Sequence, residues 1–195
     1  MKSFDEVVEF HGHACPGLAL GYRVSRAAIK RMGEKASDEE IVAIVENNSC
    51  AVDAVQVMTG CTFGKGNLIY RDYGKQVYTF FKRSSGYGTR ISVIWKVPKE
   101  TRSEQKTWEQ YIKGDRSRKV LKAIQEQKHR KMRMILNAKG RDIYKIVDVK
   151  IEPPEEARIY PSLQCSICKE KVMEPRARIK NGKIVCIPCL TVNSN

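Results

Sequence analysis

Residues 67–97 read NLIYRDYGKQVYTFFKRSSGYGTRISVIWKV, and their pattern decides the fold. Three runs, Asn67 to Arg71, Gln76 to Lys82 and Thr89 to Val97, are rich in aromatic and β-branched residues. Tyr73-Gly74 and Ser84 to Gly88 separate them as turn signals, so three antiparallel strands are predicted. Upstream, Ile41 to Val45 is a short unbroken apolar run that reads as a buried strand, and Ala51 to Met58 reads as a short helix stopped by Gly60.

Further toward the start, Pro16 suits the first position of a helix, where its missing N–H has no partner to lose. Leu20, Val24, Ala27 and Ala28 then give one apolar face, predicting a helix from Pro16 to about Met32. Ser3, followed three residues later by Glu6, is a capping-box signature for a shorter helix ending near Gly12. Downstream, Glu104 to about Leu136 is helical in pattern with a break at Gly114-Asp115, and Ile143 to Ile151 reads as one more strand. Pro153-Pro154 and Glu155-Glu156 mark a linker. The order of elements predicts an α+β fold with helices packed on one face of a mostly antiparallel sheet, plus a small C-terminal zinc-finger module. The expected domains are residues 1–157, including a basic helical segment over 104–138, and residues 158–195.

A chain of 195 residues can bury one proper core and carry a small appendage. No run approaches the roughly 20 apolar residues that span a bilayer, and Met1 to Glu6 lacks a secretory profile, so a cytoplasmic protein with no membrane partner is expected. Seven cysteines are an odd number, and four of them form tight pairs, which favours metal ligation over disulfides. The net charge of +14 points to an anionic substrate, an acidic or oxidoreductase protein partner, or a nucleic acid.

Cys165-x-x-Cys168 and Cys186-x-x-Cys189, separated by seventeen residues, supply four thiolates in two knuckles. The turn Asn181-Gly182 predicts a small hairpin that brings the knuckles together. Four thiolates leave no open position, so a structural zinc is expected, and it should supply much of the folding free energy of so short a module.

The segment His11-Gly12-His13-Ala14-Cys15 places three donors at every second residue, which an extended backbone would project from one side. Cys15 precedes a helix N-terminus, where the dipole favours thiolate. Cys50 and Asp53 share a helical face, and Cys61 follows that helix. His11, His13, Cys15, Cys50 and Cys61 are therefore the candidate ligands of zinc or another divalent transition metal, with Asp53 as an acceptor that orients a histidine. The bland alternative is buried apolar cysteines and satisfied loop histidines. Gly64, Lys65 and Gly66 resemble an anion-binding loop, although the glycine spacing is not that of a Walker sequence, and a plain tight turn is the competing reading.

HGHACPGLALGYR at His11 to Arg23, NNSCAVDAVQVMTGCTFGKGNL at Asn47 to Leu68, and the terminal CSIC and CIPC pairs resemble the FmdE family, which takes its name from formylmethanofuran dehydrogenase. The resemblance implies an α+β domain that pairs into a homodimer, a metal near the HGHxC segment and the two downstream cysteines, and a C-terminal zinc finger. It implies an accessory or small redox or one-carbon protein, without identifying any catalytic residue or establishing that the chain is an enzyme. The alternative is a nucleic-acid-binding protein that uses the eight lysines and arginines between Arg116 and Arg133 together with the zinc finger.

Overall fold

In the computed structural model, which describes residues 1–33, 36–155 and 158–191, capping chemistry sets the first two helices. Helix α1, Phe4–His11, opens on a reciprocal box in which the Ser3 hydroxyl accepts the Glu6 amide and the Glu6 carboxylate accepts the Ser3 amide. It stops at Gly12, whose φ of 88° lets its N–H reach the Val8 carbonyl. Helix α2, Pro16–Met32, starts on its proline and ends at Gly33.

Strand β1, Ile41–Val45, is buried on both sides. Ile41, Ala43 and Val45 join Val24 and Ala28 of α2 and Val55 of α3, Ala51–Thr59, in the main core. Val42 and Ile44 point the other way and meet Phe81. The remaining strands of the sheet are β2, Leu68–Tyr70, β3, Val77–Lys82, β4, Tyr87–Val93, and β5, Tyr144–Lys150. Their order is β2-β1-β3-β4-β5, mixed but mostly antiparallel.

One pairing differs from the predicted three-strand meander. β2 does not lie beside β3; it pairs in parallel with β1, Ala43 opposite Leu68 and Val45 opposite Tyr70. The reason is the connection: α3 carries the chain back over the core, so β2 runs in the same direction as β1. β3 then takes the other edge of β1, antiparallel.

Helix α2 is the central support of the first unit. A Cβ added at Gly21 would sit 2.3 Å from the Ala51 carbonyl oxygen, so only glycine lets α2 and α3 cross this closely. On its other side, Ala19 packs with Ile135 of α5, Arg118–Asn137, and with Ile143 of α6, Gly140–Ile143. Arg23 donates to the carbonyls of Ile135, Leu136 and Ala138, satisfying backbone groups that the end of α5 leaves open. Helix α4, Arg102–Ile112, leans on α5 through the ion pair Arg130–Glu104, and Lys131 of α5 pairs with Glu100 just ahead of the Thr101 cap. No helix among the described residues is long and apolar enough to cross a membrane.

Contacts separate Met1–Glu156 from a second unit, Ala157–Asn195. The second unit holds two small hairpins, β6 (Ser162–Gln164) with β7 (Lys171–Met173) and β8 (Arg178–Lys180) with β9 (Lys183–Val185), and ends in α7, Ile187–Thr191. Asn181 and Gly182 both take positive φ in the β8–β9 turn, as the sequence predicts. Among this unit's described residues only Cys165 and Val185 are buried hydrophobics.

Candidate metal centre

The first cluster forms where one helix ends and two begin. His11 is the last residue of α1, Cys15 is the N-cap of α2, and Cys50 is the N-cap of α3. The close crossing at Gly21 brings the starts of α2 and α3 together, and Gly17 lies beside both thiol residues: a Cβ there would be in ordinary contact, 3.4 Å from Cys50 Cβ and 4.0 Å from Cys15 Sγ. Donor atoms of His11, His13, Cys15 and Cys50 all lie within 4.8 Å of one another. The convergence does not come from an extended strand, as the every-second-residue spacing predicted. The left-handed turn at Gly12 redirects the chain between His11 and His13, whose ring centroids are 4.5 Å apart.

His11 Nδ1 stands 2.6 Å from Asp53 Oδ2. In the neutral ring, a carboxylate at that position places the proton on Nδ1 and the lone pair on Nε2. Nε2 is buried with no hydrogen-bond partner among the described residues. An orphaned imidazole nitrogen costs free energy unless something accepts its lone pair, and a cation between two thiols and a second imidazole does so. The Cys50 thiol carries the same signature. Burial raises the Cys50 thiol above its ordinary value, and its neighbour Cys15 raises it further. A divalent ion would reverse both effects by favouring thiolate.

Cys61 belongs elsewhere, so the expected set of five donors becomes four. It lies fully buried in the main core and its Sγ donates to the Ile41 carbonyl at 3.4 Å. Burial pushes its thiol up to about 11. Position in the chain was misleading because α3 is a rigid helix that carries its two ends apart. The loop of Gly64, Lys65 and Gly66 also departs from the anion-binding reading. Lys65 Nζ donates to the carbonyls of Ser37 and Asp38, and Asn67 accepts from the Thr62 amide, so the segment is a tight turn fastened to the start of the sheet.

Sequence reasoning missed Asn47. Its Oδ1 accepts from the amide and hydroxyl of Ser49 and its Nδ2 donates to the Lys75 carbonyl, fixing the turn that delivers Cys50. The signal was present as an Asx turn immediately before a helix.

In the second unit the sulfurs of Cys165, Cys168, Cys186 and Cys189 lie within 4.8 Å of one another, with Cys168 Sγ and Cys186 Sγ 3.8 Å apart. The Cys186 amide donates to Cys165 Sγ and draws that thiol down to about 6. The hydrogen bond with Cys186 is the main cause that pushes Cys189 up to about 12.

Residues 10–145 match the family described as FmdE, molybdenum formylmethanofuran dehydrogenase operon. Residues 158–193 match the prokaryotic dksA/traR C4-type zinc finger. A probable S-adenosyl-L-methionine-binding protein of Archaeoglobus fulgidus is 34% identical over 193 residues, covering 93% of this chain and 50% of the relative. The chain thus spans half the length of that protein. A solved structure, a tungsten formylmethanofuran dehydrogenase FmdE-like protein from Syntrophus aciditrophicus, is similar at 25% identity with a TM-score of 0.63, over 97% of this chain and 93% of that one.

Proposed function

Because the chain belongs to the FmdE family, we propose that it is a metal-binding accessory protein of redox or one-carbon chemistry, with a working metal in the first unit and a structural zinc in the second. The observation that carries the reading is the buried, unpartnered Nε2 of His11, held in that tautomer by Asp53 and facing three further donors. In this reading Cys15, Cys50 and His11 hold zinc or another divalent transition metal, and the exposed His13 is the fourth donor, the one that can give up its place so that the ion acts as a Lewis acid on a bound ligand. Asp53 keeps the imidazole oriented, and the Leu18 amide in the first turn of α2 donates to Cys15 Sγ and fixes it. His13 is exposed, so this side of the cluster faces solvent and a ligand can approach.

Elemental analysis of the full chain as purified tests this. The expected result is two ions per chain, with one lost selectively in Cys15→Ser and Cys50→Ser and both retained in Cys61→Ala. A single ion per chain in the unaltered protein would overturn it.

A second reading comes from the Archaeoglobus relative, whose name assigns it S-adenosyl-L-methionine; calorimetric titration with that compound tests it. The nucleic-acid reading has weaker support. Arg130 and Lys131 are engaged with Glu104 and Glu100, so part of the basic segment holds α4 against α5. It requires an affinity for DNA or RNA that falls steeply with salt.

A further inference from the structure

A cavity of about 320 Å³ borders the donor cluster at one of its members, His13. Its floor is His13 and Ala14, and its roof comes from the basic helical segment: Tyr111 at the end of α4 and Leu121, Ile124 and Lys128 of α5. Gln125 and His129 complete the lining. The volume is at the lower end of small-molecule sites, so the occupant is of metabolite size.

The charges of the lining are one-sided. No carboxylate contributes to it. The flanking cations Arg130 and Lys131 are ion-paired, whereas Lys128 has no ion pair among the described residues although it is only partly exposed. Its ammonium stands 5.7 Å from the centre of the Tyr111 ring, and the Arg116 guanidinium lies 4.1 Å from the same centre. The aromatic face is a weak partner that leaves the ammonium's charge unneutralised. An anion in the cavity would neutralise it. Tyr111, Leu121 and Ile124 are an aromatic and an aliphatic surface that a wholly polar ion such as free phosphate would leave uncovered.

We propose that this cavity binds a small organic oxyanion, a carboxylate or phosphate ester with a planar or aliphatic body, using Lys128 as counter-ion and Leu121 and Ile124 as the apolar surface for the body. The proposal rests on the metal reading above in placing that ligand beside the donor cluster, through His13. It also assigns a role to the basic segment: α4 and α5 roof the site and set its preference for anions.

The test is calorimetric titration of the full, metal-loaded chain with benzoate, phenyl phosphate, the neutral isostere benzamide and S-adenosyl-L-methionine, with Trp108 fluorescence as a second readout because its ring lies edge-on to Tyr111. Expected is binding of benzoate or phenyl phosphate and at least tenfold weaker binding of benzamide. Lys128→Gln should weaken the anion at least tenfold with metal content unchanged, Lys128→Arg should retain it, and the exposed Lys119→Gln should have no effect. Benzamide binding as well as benzoate would overturn the proposal. So would anion binding indifferent to Lys128→Gln, or S-adenosyl-L-methionine binding more tightly than either anion with the same indifference. Metal content measured on the same sample separates the two readings. Absence of the first ion, with anion binding still dependent on Lys128, defeats the metal reading alone. Presence of both ions without such binding defeats this inference alone.

Discussion

The two cysteine clusters bring donors to the same spacing by opposite means. In the second unit Cys165 and Val185 are the buried hydrophobic residues among those described, so little apolar burial holds the knuckles together and the ion has to do it. In the first unit the donors sit at helix ends whose positions are set by a large core, by the backbone contact at Gly21 and by the Asn47 turn. The comparison teaches that a metal can make a fold or a fold can make a metal site. A site of the second kind can tolerate a ligand on one side because its geometry does not depend on saturation.

The comparison breaks most visibly under chelation, which carries the largest expected effect. Stripping metal should abolish amide protection throughout residues 158–191, since structural zinc in small modules contributes roughly 10 kcal/mol or more. The strands β1, β3 and β4 should stay protected, and hydrogen exchange read by mass spectrometry checks both halves. Next is Gly21→Ala. Its added Cβ meets Ala51 backbone that cannot yield, so the first unit should lose about 1–3 kcal/mol in denaturant unfolding while the zinc finger is unaffected. Asp53→Asn should weaken the first metal by about 10–100-fold in competition titrations, with the fold unchanged, because the imidazole loses its orienting acceptor.

The smallest effect sharpens the contrast between Cys61 and the clustered cysteines. Its folded-state thiol lies at about 11, above the ordinary 9, so the folded chain keeps a proton that the unfolded chain releases. Stability from this group is therefore complete below pH 9 and is lost as pH rises through 11. By about pH 10 the loss is about 1 kcal/mol. Between about pH 8 and about pH 10, metal-free protein should lose about 1 kcal/mol more stability than its Cys61→Ala variant, whose remaining loss comes from other raised groups such as Cys50.

Much of the fold is legible in the residues alone. The helices at Phe4–His11 and Pro16–Met32 carry their own start and stop chemistry, Ser3 with Gly12 and Pro16 with Gly33, and local chemistry survives folding. The same holds for the break between α4 and α5 at Gly114-Asp115 and for the two CxxC pairs. Strand order was not readable, because a run such as Leu68–Tyr70 looks alike beside β1 or β3, and only the path of α3 decides. The donors at His11, His13, Cys15 and Cys50 could be singled out because rare residue types recur at short spacing. Cys61 could not be told from them: its distance from the cluster is a three-dimensional fact, and a cysteine serves equally as ligand and as core residue. Lys65 failed for a similar reason, its carbonyl partners at Ser37 and Asp38 lying far back in the chain.

X-ray absorption on the full chain as purified tests most directly that the first unit builds a mixed histidine and cysteine centre. With one four-sulfur site and one site of two imidazoles and two sulfurs, the averaged shell should contain about three sulfurs near 2.3 Å and about one nitrogen near 2.0–2.1 Å per ion. A pure sulfur shell at one ion per chain would contradict the account.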